Sequence, residues 1–319
     1  MSINTLEYAA VFMQELDNQM VECATSGWME DNAGQAQYHG GAEVKIPKME
    51  LSGLGNYDRD KGFASGSVTV NYETKKMTQD SGRTFQVDAM DVDETNFAAV
   101  AGNVMGEFQR SKVIPEIDAY RYSTIAALAE TKQKTKKYIP AKETIWETLL
   151  GDLTEVRDKV GDGVEIVITM SAKVAGMLDI AKGSNYAIGS GEFTQGSATM
   201  KVREIDGCPV IRVPSARFQT KYEFYDGVSS SKEAGGFVAA ADAKDMNWII
   251  AVRQAPIAVS KTDVTRIFDP MTNQNANAWK IDYRKYHDLW ITDHGMEGIL
   301  VSVQEKAGTD SGQEEEGMS

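Results

Sequence analysis

GRTFQVDAMDVDETNFAAV, residues 82–100, places four acidic side chains within seven positions: Asp88, Asp91, Asp93 and Glu94. Its first half, RTFQVDAMDV, sets Phe85, Val87 and Ala89 on alternate positions, the period of a strand. From residue 93 the chain reads DETNFAAVAGNVMGEFQR, with Phe97, Val100, Val104 and Phe108 at helical intervals. A strand hands over to a helix here. Asp93 or Thr95 can cap the new helix, and Asp93 with Glu94 complement the positive end of its dipole. A calcium loop would instead need oxygen ligands at its first, third and fifth positions, a glycine sixth and a glutamate twelfth. Counted from Asp88, those later places hold Met90, Val92, Asp93 and Ala99. Capping explains the acid better than a cation does.

The helical pattern continues through EIDAYRYSTIAALAE to about residue 130, with a bend expected at Pro115. A helix of about 35 residues spans about 50 Å, more than a compact domain needs and suited to a spine. Upstream, AEVKIPKMEL is extended in character, with Pro47 unfit for a central strand. SGLGNYDRDKGFASGS is rich in Gly, Ser and Asp, the composition of a loop tip. SVTVNYETKKM then alternates Val68, Val70 and Tyr72 with polar residues. Together these predict a long two-stranded arm. An isolated hairpin is marginal in water and needs a partner surface. At the N-terminus, Leu6, Ala9 or Ala10, Met13, Leu16 and Met20 form one apolar stripe on an acidic helix, which also needs something to lie against.

Beyond the spine, TKQKTKKYIPAK gathers Lys132, Lys134, Lys136, Lys137 and Lys142 in a loop-like segment, read as a solvated linker or as a contact for a phosphate backbone or an acidic neighbour. A mixed section follows. ETIWETLLGDLTEVRDKV is amphipathic, with Ile145, Leu149, Leu153 and Val156 on one face. VEIVITM and NWIIAVRQ are buried strands, SAKVAGMLDIAKG is a helix, and MKVREIDGCPVIRV is a hairpin turning at Asp206-Gly207. PIAVSKTDVTRIF, WKIDYRKYHDLWI and GILVSV close the chain as strands. In the second of these, Trp279, Ile281, Tyr283, Lys285, His287 and Leu289 share a face. The tail 305–319 is acidic and without apolar periodicity, which predicts disorder.

Of the 319 residues, 42% are hydrophobic and 25% charged, the proportions of an ordinary globular protein. A net charge of −14 argues against a dedicated nucleic-acid binder. No Lys or Arg precedes Lys45. Cys23 and Cys208 are distant and in no metal-type spacing, which suits a reducing cytoplasm, and no signal peptide or membrane-spanning run is present. His39, His287 and His294 have no metal-ligand spacing. There is no G-x-S-x-G elbow and no Walker-type loop. Gly53-Leu54-Gly55 opens onto NYDRDKG rather than a helix, and Cys208 has no basic neighbour in sequence to make it a thiolate. No catalytic, cofactor-binding or metal-binding residue is assigned. Two readings other than a structural subunit remain: an acidic cytoplasmic adaptor whose arms order on a partner, and a metal-assisted hydrolase built on Asp88 to Glu94.

The order of arm, long hairpin, strand, spine helix, α/β section and returning strands resembles the major capsid proteins of tailed bacteriophages with the Hong Kong 97-type fold. GWMEDNAGQ, VKIPKM, GLGNYDRDKGF, MTQDSGRTFQVDAMDVDETNF and GEFQRSKVIPEIDAYRYS look like a capsid group of phages of Gram-positive bacteria. The resemblance implies an α+β fold divided into an N-terminal arm (1–40), an extended β-hairpin loop (41–80), a peripheral domain with the spine helix (81–137 and 256–304) and an axial domain (138–255). It implies a protein that performs no turnover and self-assembles as pentamers and hexamers into an icosahedral shell around double-stranded DNA. It places assembly in the bacterial host cytoplasm and the product in the virion, with no membrane and no cofactor. Because Met1 leads almost directly into the arm, a separate scaffolding protein is expected, together with a portal. An acidic shell should contact its packaged DNA weakly. The family's founding member cross-links a loop lysine to a neighbour's asparagine; here Lys61 with Asn273, Asn275 or Asn277 would take those parts.

Overall fold

The computed structural model describes residues 24–38, 43–57, 59–60, 62–63, 65–88, 104–181, 189–196 and 198–304. The leading helix, Cys23, His39, Lys61, the acids Asp91, Asp93 and Glu94, and the tail lie outside them.

The largest sheet has seven strands in the order β5 (Thr135–Lys137), β15 (Ile299–Val303), β12 (Met246–Val252), β6 (Ile166–Ser171), β9 (Cys208–Val213), β8 (Ala198–Ile205) and β7 (Gly189–Gln195). Its centre is covered on both sides, which is why VEIVITM and NWIIAVRQ read as unbroken apolar runs. Ile166, Ile168, Met170, Trp248, Ile250 and Leu300 meet α2 (Ile145–Val160) and α3 (Ala172–Ile180). Val167, Ile249, Ala251, Val301 and Val303 point the other way, into a cluster with Tyr122, Ile125, Ala126 and Ala129 of α1 (Ile114–Thr131). Burying each Ile or Leu is worth roughly 1.5–3 kcal/mol, so the two layers carry much of the driving force. The face Ile145, Leu149, Leu153 and Val156 of α2 is buried, as its spacing predicts. Gly161, at φ +85°, ends that helix by donating its N–H to Arg157. At the β8–β9 hairpin Asp206 and Gly207 both take positive φ, 51° and 72°, the geometry that matches strand twist. Pro209 precedes the first β6 partner, Val210, so its missing N–H breaks no bond on that side.

Residues 104–131 are helical throughout. Just before Pro115, where the sequence predicts a bend, lies a π turn, Gln109–Val113; Ile114 N–H reaches Gln109 O and Pro115 enters at the first turn of α1. The wider turn absorbs the proline ring, which would clash with a carbonyl four residues earlier in a regular helix. This length is about 40 Å at 1.5 Å per residue. The front of the helix lies on a three-stranded sheet, β13 (Pro256–Phe268), β14 (Ala278–Ile291) and β4 (Gln79–Asp88), through Met105, Val113, Ile117, Ile281 and Tyr283. On β14 the predicted face is buried at Ile281, Tyr283, Lys285, His287 and Leu289.

The hairpin is β2 (Glu43–Leu51) against β3 (Val68–Lys76), with β1 (Gln37–Tyr38) on the far edge of β2. β1 pairs only with Val44 and Lys45, so Pro47 has a neighbour on one side alone.

The lysine-rich segment is not the solvated linker expected. Thr135–Lys137 forms the edge strand β5, parallel to β15. Lys132 reaches Asp293 at 2.9 Å, Lys134 reaches Glu297 at 2.6 Å, and Lys136 lies 2.8 Å from Asp152 and 2.6 Å from Glu155. Three of the five lysines, Lys132, Lys134 and Lys136, are thus matched by acids of the same chain. Asp152, buried in α2, also accepts Trp248 Nε1 at 2.9 Å, so it ties β5, α2 and β12 together.

Candidate assembly surface

Directly opposed residues of an antiparallel pair point to the same side. In the hairpin the opposed pairs Pro47–Tyr72, Met49–Val70 and Leu51–Val68 therefore share one face. All six are exposed; Met49 is 63% and Leu51 66% accessible, Val68 67% and Tyr72 53%. The opposite face starts apolar at Val44 and Ile46 and turns polar at Lys48, Thr69, Asn71 and Glu73. The arm thus buries its root and presents an apolar stripe outward along its length. Nine-residue strands extend about 30 Å, and the tip residues Leu54, Tyr57 and Phe63 are exposed too.

The root is fixed by packing and by charge. Val44, Ile46 and Met77 join Ile257, Val259 and Trp290. Asp288 accepts the Thr78 N–H at 2.8 Å, the Thr78 hydroxyl at 3.1 Å and the Tyr120 hydroxyl at 2.6 Å. Burial and the Asp288 bond together push the Tyr120 phenol up to about 12.

A second network holds residues 25–35 to the spine. Asp118 is fully buried; it accepts both the N–H and the hydroxyl of Thr25 (3.2 and 2.7 Å) and of Ser26 (3.0 and 2.6 Å), and pairs with Arg217 at 3.0 Å. Arg121, one turn on, donates to Ser26 O at 3.1 Å and pairs with Glu30. Burial alone would raise the Glu30 carboxyl, but Arg121 and Lys285 overcome it and hold it at about 2. Lys285 in turn lies 2.6 Å from Asp263 on the neighbouring strand. Asn32 closes the segment with bonds to Arg253 O and Pro256 O at 2.7 and 2.8 Å.

Of the acidic cluster, Asp88 ends β4 opposite Ala278 and is exposed. Among the described residues no group of three His, Cys, Asp or Glu is placed to hold a metal ion. Asn273 is buried and donates to Ala278 O at 2.8 Å, whereas Asn275 and Asn277 are exposed. His287 is buried edge-on to Tyr120, and His294 is exposed. Cys208 does have a basic neighbour, contrary to expectation: Arg157 Nη2 is 3.5 Å from its Sγ. Burial outweighs that cation and raises the thiol, so it is not activated. Sequence reasoning missed Asp118 and Arg121. Their signal is positional: Ile114, Asp118, Arg121 and Ile125 fall on one helical stripe, so two charges occupy core places.

No protein-family model and no curated protein matches the sequence. Solved structures do match. The mature capsid of bacteriophage PhiM1 superposes with a TM-score of 0.54 at 15% identity, over 83% of this chain and 82% of that one. A structure from Gordonia phage Cozz gives 0.54 at 15% identity over 82% and 81%. The capsid of cyanophage P-SCSP1u gives 0.53 at 8% identity over 85% and 86%. Over more than four-fifths of its length, the chain has the α+β fold of these phage capsid structures.

Proposed function

We propose that this chain is the major capsid protein of a tailed bacteriophage, of Hong Kong 97 type, whose copies assemble as pentamers and hexamers into the icosahedral shell enclosing double-stranded DNA. The observation that carries this reading is the hairpin's outward apolar stripe, Pro47, Met49, Leu51, Val68, Val70 and Tyr72, on a chain with the fold of phage capsids. A two-stranded arm with an uncovered apolar side is a poor design for a solitary molecule and a good one for a subunit that drapes across its neighbours. In this reading residues 1–40 are the arm, 41–80 the extended loop, 81–137 with 256–304 the peripheral domain and 138–255 the axial domain. Its role is structural rather than catalytic. Its partners are further copies of itself, a separate scaffolding protein, a portal, and packaged DNA held weakly by an acidic shell; it is put together in the host cytoplasm. Joining the reading is the net charge of −14, which disfavours a grip on DNA that must later leave.

Electron microscopy and sedimentation of the expressed chain test it. Closed shells, rings or capsomers support the reading. A monodisperse monomer at high concentration overturns it, and small complexes with a different protein would point to an adaptor. Particles should bind free DNA weakly at moderate salt; tight, salt-resistant binding would contradict the DNA part.

A further inference from the structure

The dipeptide Asp-Gly occurs three times, at 162–163, 206–207 and 226–227, and Asn-Gly does not occur. In such a pair the aspartate carboxyl lies beside a main-chain nitrogen that no neighbouring Cβ shields, so the chain can attack its own side chain. Ring closure needs two freedoms. The carboxyl carbon must swing onto the glycine nitrogen, and one carboxyl oxygen must be able to leave as water.

The fold removes those freedoms at two of the sites. At the β8–β9 turn, Arg157 pairs with the Asp206 carboxylate and donates from Nη2 to Asp206 O at 2.6 Å, so side chain and main chain are clamped together. In the loop 225–236, Asp226 Oδ1 accepts the N–H groups of Val228 at 3.0 Å and Ser229 at 2.9 Å, and Oδ2 accepts the Ser229 hydroxyl. The Ser229 hydroxyl and those N–H groups hold the Asp226 carboxyl down at about 2, ionised and unable to shed an oxygen. Asp162 has neither restraint. Its side chain is 92% accessible, and Arg157, whose guanidinium is taken up by Asp206, leaves Nε 4.0 Å away. It sits between Gly161, at φ +85°, and Gly163 in the connection from α2 to β6. A Cβ at either glycine would meet nothing within 4 Å, so the main chain there has room to turn.

We propose that Asp162 is a self-modifying site, at which Gly163 N attacks Asp162 Cγ and the folded chain isomerises with age to an isoaspartyl linkage. The C–N bond forms as the amide proton and the carboxyl hydroxyl depart together as water. Water then opens the succinimide ring at one of its two carbonyls. Addition at Cγ restores Asp162; addition at the main-chain carbonyl leaves the peptide running through Cγ, with a free α-carboxylate. One water leaves and one returns, so no oxidant, cofactor or enzyme is required. The extra backbone methylene falls ahead of the β6 ladder, which begins at Ile166, and close to Glu165 O, which accepts the Arg253 N–H at 2.9 Å. The sheet survives the change, and modified chains accumulate. This inference goes beyond the assembly reading and does not depend on it.

The test keeps the full chain, as purified, for weeks at physiological pH and temperature. Peptides bearing each Asp-Gly pair are then followed by mass spectrometry with electron-transfer fragmentation, which distinguishes the two linkages. In the folded chain isoaspartate at 162 is expected to rise severalfold faster than at 206 or 226, and in urea the three rates should converge. Equal rates in the folded chain, a faster rate at 206 or 226, or no isoaspartate at 162 overturns the proposal. If 162 stays fastest in urea, local sequence rather than the fold sets the order, and the structural argument falls. Asp162→Glu, which would need a larger ring, should abolish the signal from that peptide; its persistence also counts against Asp162.

Discussion

The Tyr120 hydroxyl sits 2.6 Å from Asp288 Oδ1, joining the middle of the spine helix to β14, the strand that pairs with β4. The same carboxylate holds Thr78, one of the two residues between β3 and β4. One buried acid therefore shares with the packing of Val44, Ile46 and Met77 the task of fixing the angle at which the arm leaves the body.

Replacing Asp288 by Asn keeps the shape, removes the charge from four hydrogen bonds (Thr78 N–H and hydroxyl, Tyr120 hydroxyl and Leu289 N–H) and turns an NH2 group toward one of the donor N–H groups. Charge-assisted bonds are worth about 1.5–3 kcal/mol each before compensation, so the subunit should lose about 2 kcal/mol in urea unfolding. Amide exchange at Thr78 should quicken more than exchange in β6. Equal protection at both sites would show that the acid does not govern the root.

Asp118→Ala leaves Arg217 and the Thr25 and Ser26 N–H groups without their acceptor. Breaking a buried pair from one side costs about 3–5 kcal/mol. The variant should be cut by protease within residues 24–35 under conditions in which the wild type resists.

His287 and Glu30 give the subunit an acid limit. The His287 pKa is depressed, through burial and then the nearby cations Arg121 and Lys285, so the unfolded state takes a proton before the folded one. Stability is then full above the ordinary imidazole value of 6.5 and falls as pH drops below it. Glu30, lowered to about 2 from 4.5, adds a second loss as pH falls from 4.5 toward 2. Melting temperatures measured from pH 8 to 3 should fall in two stages. His287→Phe should flatten the first stage and Glu30→Gln the second.

Val70→Asp changes a residue that is 47% accessible on an edge strand, so subunit stability should fall by no more than about 1 kcal/mol. Assembly should fail, because covering an unpaired carboxylate costs more than the contact returns. Normal circular dichroism with no particles in sedimentation is the expected pair of results; normal particles would remove the stripe from the assembly mechanism.

Cys208 should react slowly with thiol reagents at pH 7 in the folded chain and rapidly in urea, since burial raises its pKa despite Arg157.

Much of this architecture follows from local pattern. The β14 face from Ile281 to Leu289 and the α2 stripe from Ile145 to Val156 are periodic, and each is buried where its period places it. The alternation of Val68, Val70 and Tyr72 marks a strand, but period alone does not say which side meets water. That depends on the register with Pro47, Met49 and Leu51, set across a long tip. β5 escaped because a three-residue polar strand has no period to detect, and its partner β15 lies over 160 positions away. Arg157 and Cys208, 51 positions apart, meet only through the fold. The acids and cations on the spine are indistinguishable in composition from solvated charges, yet their stripe position betrays them.

The slot that β15 fills has a consequence for synthesis. It lies between β5 and β12, so the principal sheet stays open until residue 303 has left the ribosome. Translation products cut short before that point lack a finished sheet and should be cut by proteases under conditions in which the full chain resists.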